Sequence, residues 1–416
     1  MNFSEWRKIE LGELIDSISI KHKFDKNQLI FLNTSDVLEG KVLHQNYSDI
    51  NTLPGQAKKS IKKGDILFSE IRPKNKRFAL VDFDADDYVV STKLMVLRRK
   101  NSLIDNLFLY KYLTSDRILE ELQFIAEGRS GTFPQITFNE LKSLKISLPL
   151  LNEQKAIVDI LSSLDDKIEL NNQMNKTLEE MAQALFKRWF VDFEFPNEEG
   201  QPYKSSGGEM VESELGMIPK YWKVAQIKEF GEVITGKTPS TKVKENYGDK
   251  YPFITIPDMH NNVFILNTER YLSQLGNNAQ PKKLIPKNSL IVSCIATVGL
   301  VSINSEDSHT NQQINSLILD DEKNLYCLYF VLRGQSEYLN LLGSSGTTTK
   351  NVNKSVFEKV KIINPEKQSV SEYFVICKPI FEQIFENMKQ NNYLKKLRDS
   401  LLPKLMSGEI RISDLD

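Results

Sequence analysis

The sequence predicts two α/β (α+β) domains in tandem, each followed by a long helix, with the two helices packed as an antiparallel coiled coil. The chain repeats itself at an offset of 216 residues, which predicts a pseudo-twofold internal repeat. The segment from Leu151 to Phe190 contains no proline or glycine and is expected to form one helix. A helix of that length cannot bury its own apolar stripe, so it needs a partner, and the repeat supplies one.

The repeat opens with a tryptophan in each half. Trp6 in SEWRKIELGEL has a counterpart in Trp222 in KYWKVAQIKEF, and the same offset carries Ile146 onto Ile362. Between these anchors the offset changes by a few residues. For example, IKKGDILFS over 61–69 resembles IPKNSLIVS over 285–293. The expected parts are a first mixed domain over 1–150, a spacer helix over 151–192, a linker or ordered loop over 193–220, a second mixed domain over 221–364, and a second spacer helix with its tail over 365–416.

The first long helix carries a heptad seam over more than four heptads, which is typical of a coiled coil. The seam residues are Ile157, Leu161, Leu164, Ile168, Asn171, Asn175, Leu178, Ala182, Leu185 and Trp189. The repeat offset gives a weaker second seam of Tyr373, Cys377, Ile380, Ile384, Asn387, Asn391, Leu394, Arg398, Leu401 and Leu405.

Two asparagines recur at the same places in both seams. If the helices run antiparallel about a local dyad, Asn171 faces Asn391 and Asn175 faces Asn387. Polar seam residues cost stability but set the register by pairing with one another. Two prolines, Pro379 and Pro403, are expected to kink or fray the second helix.

Bulk properties exclude several classes of protein. At 416 residues the chain is too long for one ordinary core, and its net charge of −1 argues against a generic nucleic-acid binder. Any DNA binding must therefore rely on local patches or on a partner's charge. The three cysteines are far apart, and the four histidines lack metal-ligand spacing. With no signal-type or membrane-spanning run, a cytoplasmic protein is expected.

The expected architecture suits a ligand that has an approximate dyad of its own. A helix from Asn152 to Phe190 would be about 58 Å long. Two related domains held apart by such helices match duplex DNA, whose half-sites are read about one helical turn or a multiple apart. Because the two domains differ in sequence, they are expected to read two different half-sites.

Three stretches resemble the specificity subunits of Type I restriction-modification enzymes. They are the run from Leu148 to Trp222, which begins LPLLNEQKAIVDILSSLDDKIE and ends ESELGMIPKYW, the segment ITGKTPS over 234–240, and the ending LRDSLLPKLMSGEIRI over 397–412. The resemblance covers the whole chain and the order of its parts.

The resemblance implies a non-catalytic subunit of a bacterial or archaeal system, with two target-recognition domains that each read half of a bipartite asymmetric DNA sequence. It also implies docking of two methyltransferase (modification) subunits on the helical spacers, with restriction subunits joining through them. S-adenosylmethionine, ATP and magnesium are expected on those partners, and no cofactor is expected on this chain.

One motif suggests nucleotide binding instead. GEVITGKT over 231–238 satisfies the phosphate-loop pattern, with Lys237 and Thr238 in the diagnostic places. A phosphate loop follows a buried strand and opens a long helix, whereas here the turn-rich PSTKVKENYGDKY follows. We therefore favour a turn at a DNA-facing or structural edge, which would place Lys237, Thr238 and Ser240 near DNA.

A local excess of basic residues marks the first domain. The segment AKKSIKKGDILFSEIRPKNKR over 57–77 has eight lysines and arginines against Asp65 and Glu70, enough to neutralise phosphates. A solvated loop is the alternative for any single residue. The basic candidates for DNA binding are Lys58, Arg72, Lys74, Lys76 and Arg77.

Two small polar loops recur before the last strand of each domain, GRSGTFPQIT over 128–137 and GSSGTTTKNVN over 343–353. Backbone N–H groups and hydroxyls there suit phosphates, and amide side chains suit base edges. Alternatively, Gly131 and Gly346 simply satisfy turns with positive φ. The candidates are Arg129, Ser130, Thr132, Gln135, Ser345, Thr347, Thr348 and Lys350.

Two other functions stay open at this point. One is a coiled-coil scaffold that joins proteins without reading DNA, and the other is an NTPase built around Lys237. The residues show no nucleophile elbow and no nuclease carboxylate cluster, so catalysis by this chain is not expected.

Overall fold

The computed structural model describes residues 6–128, 134–344 and 350–412. The chain divides into two compact units, Met1–Ile168 with Tyr393–Asp416 as unit 1, and Glu169–Asn392 as unit 2. Both boundaries cut through a long helix, so each unit contains a mixed domain and a piece of both helices.

Unit 1 is built from short strands with few helices. Its strands are β1 (Arg7–Glu10), β2 (Ile15–Ile18), β3 (Gln28–Leu32), β4 (Val37–Leu38), β5 (Lys41–Val42), β6 (Tyr47–Asp49), β7 (Ala57–Ser60), β8 (Ile66–Ser69), β9 (Phe78–Leu80), β10 (Tyr88–Ser91), β11 (Leu94–Arg99) and β12 (Lys145–Leu148). Its helices are α1 (Leu11–Leu14), α2 (Asn106–Leu113), α3 (Asp116–Glu127), α4 (Phe138–Lys142), the start of α5 (Leu151–Phe186) and the end of α11 (Lys367–Ser407).

Two four-stranded sheets form the body of unit 1, in the orders β6-β3-β10-β7 and β2-β11-β8-β9. The central strands β8 and β11 read ILFS and LMVLRR, and the residues ILF and LMVL are apolar and buried on both faces. The main core lies between the second sheet and helices α2 and α3, and it includes Ile157 and Leu161 of α5. Strands β1 and β12 pair antiparallel beside it.

Unit 2 repeats this plan. Its strands are β13 (Met210–Ser213), β14 (Gly216–Pro219), β15 (Lys223–Gln226), β16 (Gly231–Thr235), β17 (Tyr247–Gly248), β18 (Tyr251–Ile254), β19 (Phe264–Ile265), β20 (Arg270–Leu272), β21 (Leu290–Ser293), β22 (Val301–Asn304), β23 (His309–Thr310), β24 (Ile314–Leu319) and β25 (Lys361–Asn364). Its helices are α6 (Ile256–Met259), α7 (Gln274–Asn278), α8 (Leu325–Gly334), α9 (Ser336–Gly343), α10 (Lys354–Glu358) and most of α11 (Lys367–Ser407).

The sheet orders confirm the internal repeat. In unit 2 the larger sheet runs β16-β24-β21-β22-β19, so its first four strands correspond to β2-β11-β8-β9 of unit 1. The smaller sheet runs β17-β20-β18-β23, and β15 pairs with β25 as β1 pairs with β12. The predicted α+β domains in tandem, each followed by a long helix, are therefore present.

The two long helices begin and end close to their predicted limits. Helix α5 begins two residues after Pro149 and continues as a π-helical turn over Lys187–Val191. Helix α11 begins two residues after Pro365 and runs without interruption through Pro379 and Pro403. The expected fraying at these prolines is absent, although each proline removes a backbone hydrogen bond and crowds the preceding turn at a cost of about 3 kcal/mol or more.

Within unit 2 the seam asparagines meet as predicted. Asn171 Nδ2 donates to Asn391 Oδ1 at 2.9 Å, and Asn387 Nδ2 donates to Asn175 Oδ1 at 2.9 Å. Farther along, the Tyr373 hydroxyl donates to the backbone oxygen of Ala182 at 3.1 Å. Residue numbers on α11 therefore fall as those on α5 rise. The asparagine pairing is confirmed, and its role in setting the register remains a prediction.

Within unit 1 the same two helices meet through charge. Asp165 accepts a hydrogen bond from Arg398 Nη1 at 2.7 Å and another from the Lys111 ammonium group. Burial opposes ionisation of Asp165, but these two bonds outweigh it and hold the pKa of the carboxyl below its usual range. The repeat offset places Cys327 and Phe381 at the positions of Lys111 and Asp165, so the corresponding place in unit 2 is apolar.

The segment 193–220, predicted as a linker or ordered loop, is ordered. Phe193, Phe195 and Ile218 are buried, and the Phe195 ring stacks on Trp222 with centroids 4.9 Å apart. Strands β13 and β14 form a hairpin within it. Among the described residues, no helix is long and apolar enough to cross a membrane.

Candidate nucleic-acid interface

The basic segment over 57–77 does not present all of its charges to solvent. Lys58 is exposed on β7, whereas the adjacent Lys59 points inward and is buried. The Lys59 ammonium donates to the backbone oxygens of Thr92 at 2.9 Å and Leu94 at 2.8 Å. Burial lowers the pKa of this amine. Lys59 therefore supports the fold and adds no charge to the surface of this segment.

The loop after β8, residues 70–77, is anchored at several points. Arg77 Nη1 donates to the backbone oxygen of Ser35 at 2.9 Å, and the Lys76 ammonium lies 3.0 Å from Asp116 Oδ1. The backbone N–H of Lys74 donates to Gln123 Oε1 at 3.3 Å. Arg72 and Lys74 are exposed on this fixed loop. Of the four predicted residues in the loop, Lys76 and Arg77 hold it in place and the other two face solvent.

Two candidate segments that are distant in the sequence lie side by side. Ile71 and Gln135 form an antiparallel bridge, the N–H of Arg72 donates to Pro134 O at 3.1 Å, and the N–H of Ile136 donates to Glu70 O at 2.9 Å. The other three candidates in this region, Arg129, Ser130 and Thr132, lie outside the described residues.

The same edge of unit 1 carries three exposed lysines that the sequence patterns did not single out. Lys21 forms a bridge with Lys59, and Lys23 follows two residues later. Lys93 lies in the β10–β11 turn, and its backbone oxygen accepts from the N–H of Glu70 at 3.2 Å. Sequence reasoning missed these lysines because their places in the fold depend on backbone pairing with Lys59 and Glu70, which are distant from them in the chain.

We call residues 21–23, 70–77, 91–94 and 134–136 the first loop cluster. It contains one acidic residue, Glu70, and seven basic residues, Lys21, Lys23, Arg72, Lys74, Lys76, Arg77 and Lys93. Such an excess is large enough to attract a phosphate backbone even though the whole chain is nearly neutral.

Unit 2 has an equivalent second loop cluster, which comprises residues 236–240, 294–298, 311–313 and 350–352. Thr238 Oγ1 donates to Gln312 Oε1 at 2.6 Å, and the exposed Lys350 donates to Asn340 Oδ1 at 2.8 Å. Lys237 and Ser240 are also exposed. Ser345, Thr347 and Thr348 lie outside the described residues.

Three backbone hydrogen bonds and one bridge recur in the two clusters. The N–H of Cys294 donates to Gln313 O at 2.8 Å, and the N–H of Ala296 donates to Lys350 O at 3.1 Å. The N–H of Val352 donates to Cys294 O at 2.8 Å, and Ile295 forms a bridge with Asn351. These are the counterparts of the contacts that Glu70, Ile71, Arg72 and Ile136 make in unit 1.

The side chains of the two clusters differ. The second cluster contains Lys237 and Lys350 as its basic residues, no acidic residue, and seven serine, threonine, asparagine or glutamine residues. The same scaffold thus presents a strongly basic surface in unit 1 and a mainly polar one in unit 2.

The buried side chain of His309 is linked to the second loop cluster through Gln280. His309 Nε2 lies 2.8 Å from Asn277 Oδ1, and its Nδ1 lies 3.3 Å from Gln280 Nε2. Gln280 Nε2 in turn lies 3.0 Å from the backbone oxygen of Lys237, to which it donates. Burial lowers the pKa of His309 to about 4, so the ring is neutral at neutral pH, with Nε2 as donor and Nδ1 as acceptor.

The phosphate-loop pattern does not have phosphate-loop geometry. Gly231 to Thr235 form strand β16, in register with β24 from Leu319 to Asn315. Lys237 and Thr238 follow outside any strand or helix, and the next α-helix begins only at Ile256. A nucleotide phosphate needs a glycine-rich turn that opens directly into a helix, and this arrangement is missing.

The described residues contain neither a cluster of metal ligands nor a nucleophilic cysteine. They contain no group of three or more His, Cys, Asp or Glu side chains that could hold a metal ion. The three cysteines are buried, and burial raises the pKa of Cys294 to about 12 and that of Cys377 to about 11. These thiols are therefore protonated and poor nucleophiles.

Comparison with known proteins agrees with the repeat. A family model described as the Type I restriction modification DNA specificity domain matches residues 3–180 and again residues 219–393. The HindI specificity subunit of Haemophilus influenzae, a Type I restriction enzyme subunit, is 44% identical over 98% of this chain and 100% of its own length. The MjaIX specificity subunit of Methanocaldococcus jannaschii is 31% identical over 74% of this chain and 70% of its own length.

The fold has a solved counterpart. The crystal structure of a Type I restriction-modification system S subunit from M. genitalium matches with a TM-score of 0.57 and 15% identity, over 97% of this chain and 96% of that one. Because the family model covers both halves and a 44% identical relative spans the whole length, this chain belongs to the family of Type I restriction-modification specificity subunits.

Proposed function

We propose that this chain reads a bipartite, asymmetric double-stranded DNA sequence, with the first loop cluster on one half-site and the second on the other. The observation that carries the proposal is the correspondence of the two clusters. Their loops are joined by the same backbone hydrogen bonds, yet their side chains differ in charge and size. One scaffold with two sets of side chains is what two unlike half-sites require.

The first loop cluster is suited to both parts of DNA recognition. Its exposed lysines, Lys21, Lys23, Lys74 and Lys93, can neutralise phosphates and thereby release counterions. Arg72 can bond to guanine O6 and N7 in the major groove. In the second cluster, Lys237 and Lys350 can contact phosphates, while Thr238 and Gln313 can contact base edges.

The long helices are proposed to form one antiparallel coiled coil that sets the gap between the half-sites. The contacts in unit 2 support this, since α5 and α11 meet there with opposite numbering, and in unit 1 the same helices meet at Asp165 and Arg398. The paired asparagines would fix the register, because a shift of either helix leaves buried amides without partners.

As a specificity subunit, the chain is non-catalytic, and its partners are proposed to carry the chemistry. Two modification subunits would dock on the helical spacers and methylate adenines with S-adenosylmethionine. Restriction subunits would join through the modification subunits and cleave DNA with ATP and magnesium. The near-neutral charge of the chain fits this division, because the partners would supply further phosphate contacts.

The decisive experiment is a methylation map. The chain is mixed with its co-expressed modification subunit and S-adenosylmethionine on unmethylated genomic DNA, and modified adenines are located by sequencing. A split motif with a fixed gap is the expected result. Random or absent methylation by an intact complex would favour the scaffold function instead.

The NTPase alternative has a separate test. ATP binding to the isolated chain and to its Lys237→Ala variant is measured by calorimetry. We expect no binding by either protein, because Lys237 follows a strand and no helix opens beside it. Binding that disappears in the variant would restore the nucleotide site.

A further inference from the structure

Two equivalent residues of the loop clusters hold an unusual backbone conformation. Arg72 has φ of 45° and Ala296 has φ of 64°, both in the left-handed region. Both are exposed, and each follows the isoleucine, Ile71 or Ile295, that forms the bridge with the neighbouring loop. Arginine and alanine gain nothing from this conformation, because it crowds their Cβ against the backbone.

Other left-handed residues recur in both units, but most of them are ordinary turns. Gly64 corresponds to Asn288, and Glu39 corresponds to Asn261. Glycine and asparagine tolerate this region, so three of these four positions carry little strain. The pair Arg72 and Ala296 differs, since neither unit places a tolerant residue there.

The surrounding loops hold this conformation in place. The N–H of each residue donates at 3.1 Å to the facing loop, Arg72 to Pro134 O and Ala296 to Lys350 O. With the backbone fixed by this bond and the adjacent bridge, the Cβ of each residue leaves the loop in one set direction. Strain that persists at exposed, equivalent positions of two domains is typical of functional sites.

We infer that this position is a base-reading position in both units, with Arg72 contacting a guanine of one half-site and Ala296 contacting the methyl group of a thymine in the other. The inference rests on the proposed function. Arginine pairs with guanine through two parallel hydrogen bonds, and alanine makes an apolar contact with the thymine C5-methyl. Glycine would relieve the strain at either position but would remove the contact.

The first test replaces Arg72 in the complete complex with its modification subunits. In methylation maps, Arg72→Ala and Arg72→Gly should lower the rate at the wild-type motif by roughly 10- to 100-fold and make one guanine of one half-site degenerate. Arg72→Lys should give a smaller loss, since it keeps the charge but not the paired donors. The other half-site should be unchanged.

The second test uses Ala296 and a chemically defined probe. DNA duplexes carrying the mapped motif are made with thymine or with uracil, which lacks the C5-methyl, at each thymine of the second half-site. The wild-type complex should bind one uracil duplex about 4-fold more weakly, as expected for one lost methyl contact. Ala296→Gly should bind the thymine and uracil duplexes equally.

Stability gives an independent readout of the same residues. Arg72→Gly and Ala296→Gly should each raise the melting temperature by about 2 °C while lowering specificity, because glycine adopts positive φ without strain. Arg72→Ala should lower specificity without that gain. Asn288→Gly, at a positive-φ turn that takes no part in either cluster, should leave the methylated motif unchanged.

The outcomes separate this inference from the function on which it rests. Lys74→Ala is the matched comparison on the same loop and should slow methylation at all sites equally, as for a phosphate contact. A split wild-type motif that stays identical in every Arg72 variant would overturn the base-reading position and leave the proposed function standing. A wild-type map without a split motif would remove both.

Discussion

Lys58 and Lys59 are neighbours on β7, yet one faces solvent and the other is buried. Strand side chains alternate between the two faces, so a pair of adjacent lysines must be divided in this way. The sequence pattern identified a basic segment but gave no way to tell which lysine faces inward. Burial and the two carbonyl partners make that assignment.

Lys59→Met is expected to destabilise unit 1 by about 1–3 kcal/mol, because methionine keeps the apolar stem but leaves the oxygens of Thr92 and Leu94 without their donor. Lys58→Met on the same strand is the control and should change stability by less than about 0.5 kcal/mol. Urea denaturation of both variants measures the difference. Equal effects would mean that the Lys59 contacts contribute nothing.

The burial of His309 leads to a prediction for how the free energy of unfolding depends on pH. Burial lowers its pKa in the folded chain to about 4, below the ordinary value of about 6.5. Between these values the unfolded chain binds a proton that the folded chain does not. The stability contribution is therefore fully present above pH 6.5 and is lost as the pH falls towards 4.

Comparing His309→Gln with the wild-type chain isolates this effect from the titration of carboxylates, which both share. Between pH 7.5 and pH 5, the wild-type chain should lose about 2 kcal/mol more unfolding free energy than the variant. Urea titrations at the two pH values provide the measurement. Parallel losses in the two proteins would show that His309 is not held neutral.

At the scale of elements, the long helices show which features a periodic sequence specifies well. The proline- and glycine-free segment and the heptad predicted α5 nearly to the residue, because helix length and seam depend on local pattern. Fraying at Pro379 and Pro403 was predicted wrongly, because α11 continues through both residues, whereas a kink at either one stays a prediction.

The paired asparagines are expected to be energetically coupled. Asn391→Leu should cost about 1–2 kcal/mol, because buried Asn171 loses a partner, whereas the double variant Asn171→Leu with Asn391→Leu should recover much of that loss. A double-mutant cycle by urea denaturation measures the coupling. Gln173→Leu, at an exposed position of α5, should combine additively with Asn391→Leu. Additivity in both cycles would argue against a register role.

At the scale of the whole molecule, the proposed spacer can be tested by changing its length. Seven residues are inserted into each long helix, after Ile168 and after Asn392, so that the heptad is kept. The insertion adds about 10 Å of helix, which corresponds to about 3 base pairs of DNA. The methylation map should show the gap widened by that amount with both half-sites retained.

Exchange of residues 1–150 for the first domain of another specificity subunit is the companion control, and it should alter one half-site while leaving the gap unchanged. An insertion variant that folds and methylates with the original gap would contradict the spacer function of the helices.

The sequence by itself determined the tandem repeat, the two long helices, the pairing of their asparagines and the family, because these depend on spacing and on long matching runs that survive drift between the halves. Only the tertiary structure decided which charges share a surface. It buried Lys59, bound Lys76 and Arg77 to neighbouring segments, paired Lys21 with Lys59, and placed Lys93 against Glu70. It also placed Arg72 and Ala296 in the same strained conformation. Strand pairing joins residues that are far apart in the chain, and backbone torsion depends on that pairing. The shared surface and the strained conformation therefore cannot be predicted from the local sequence pattern.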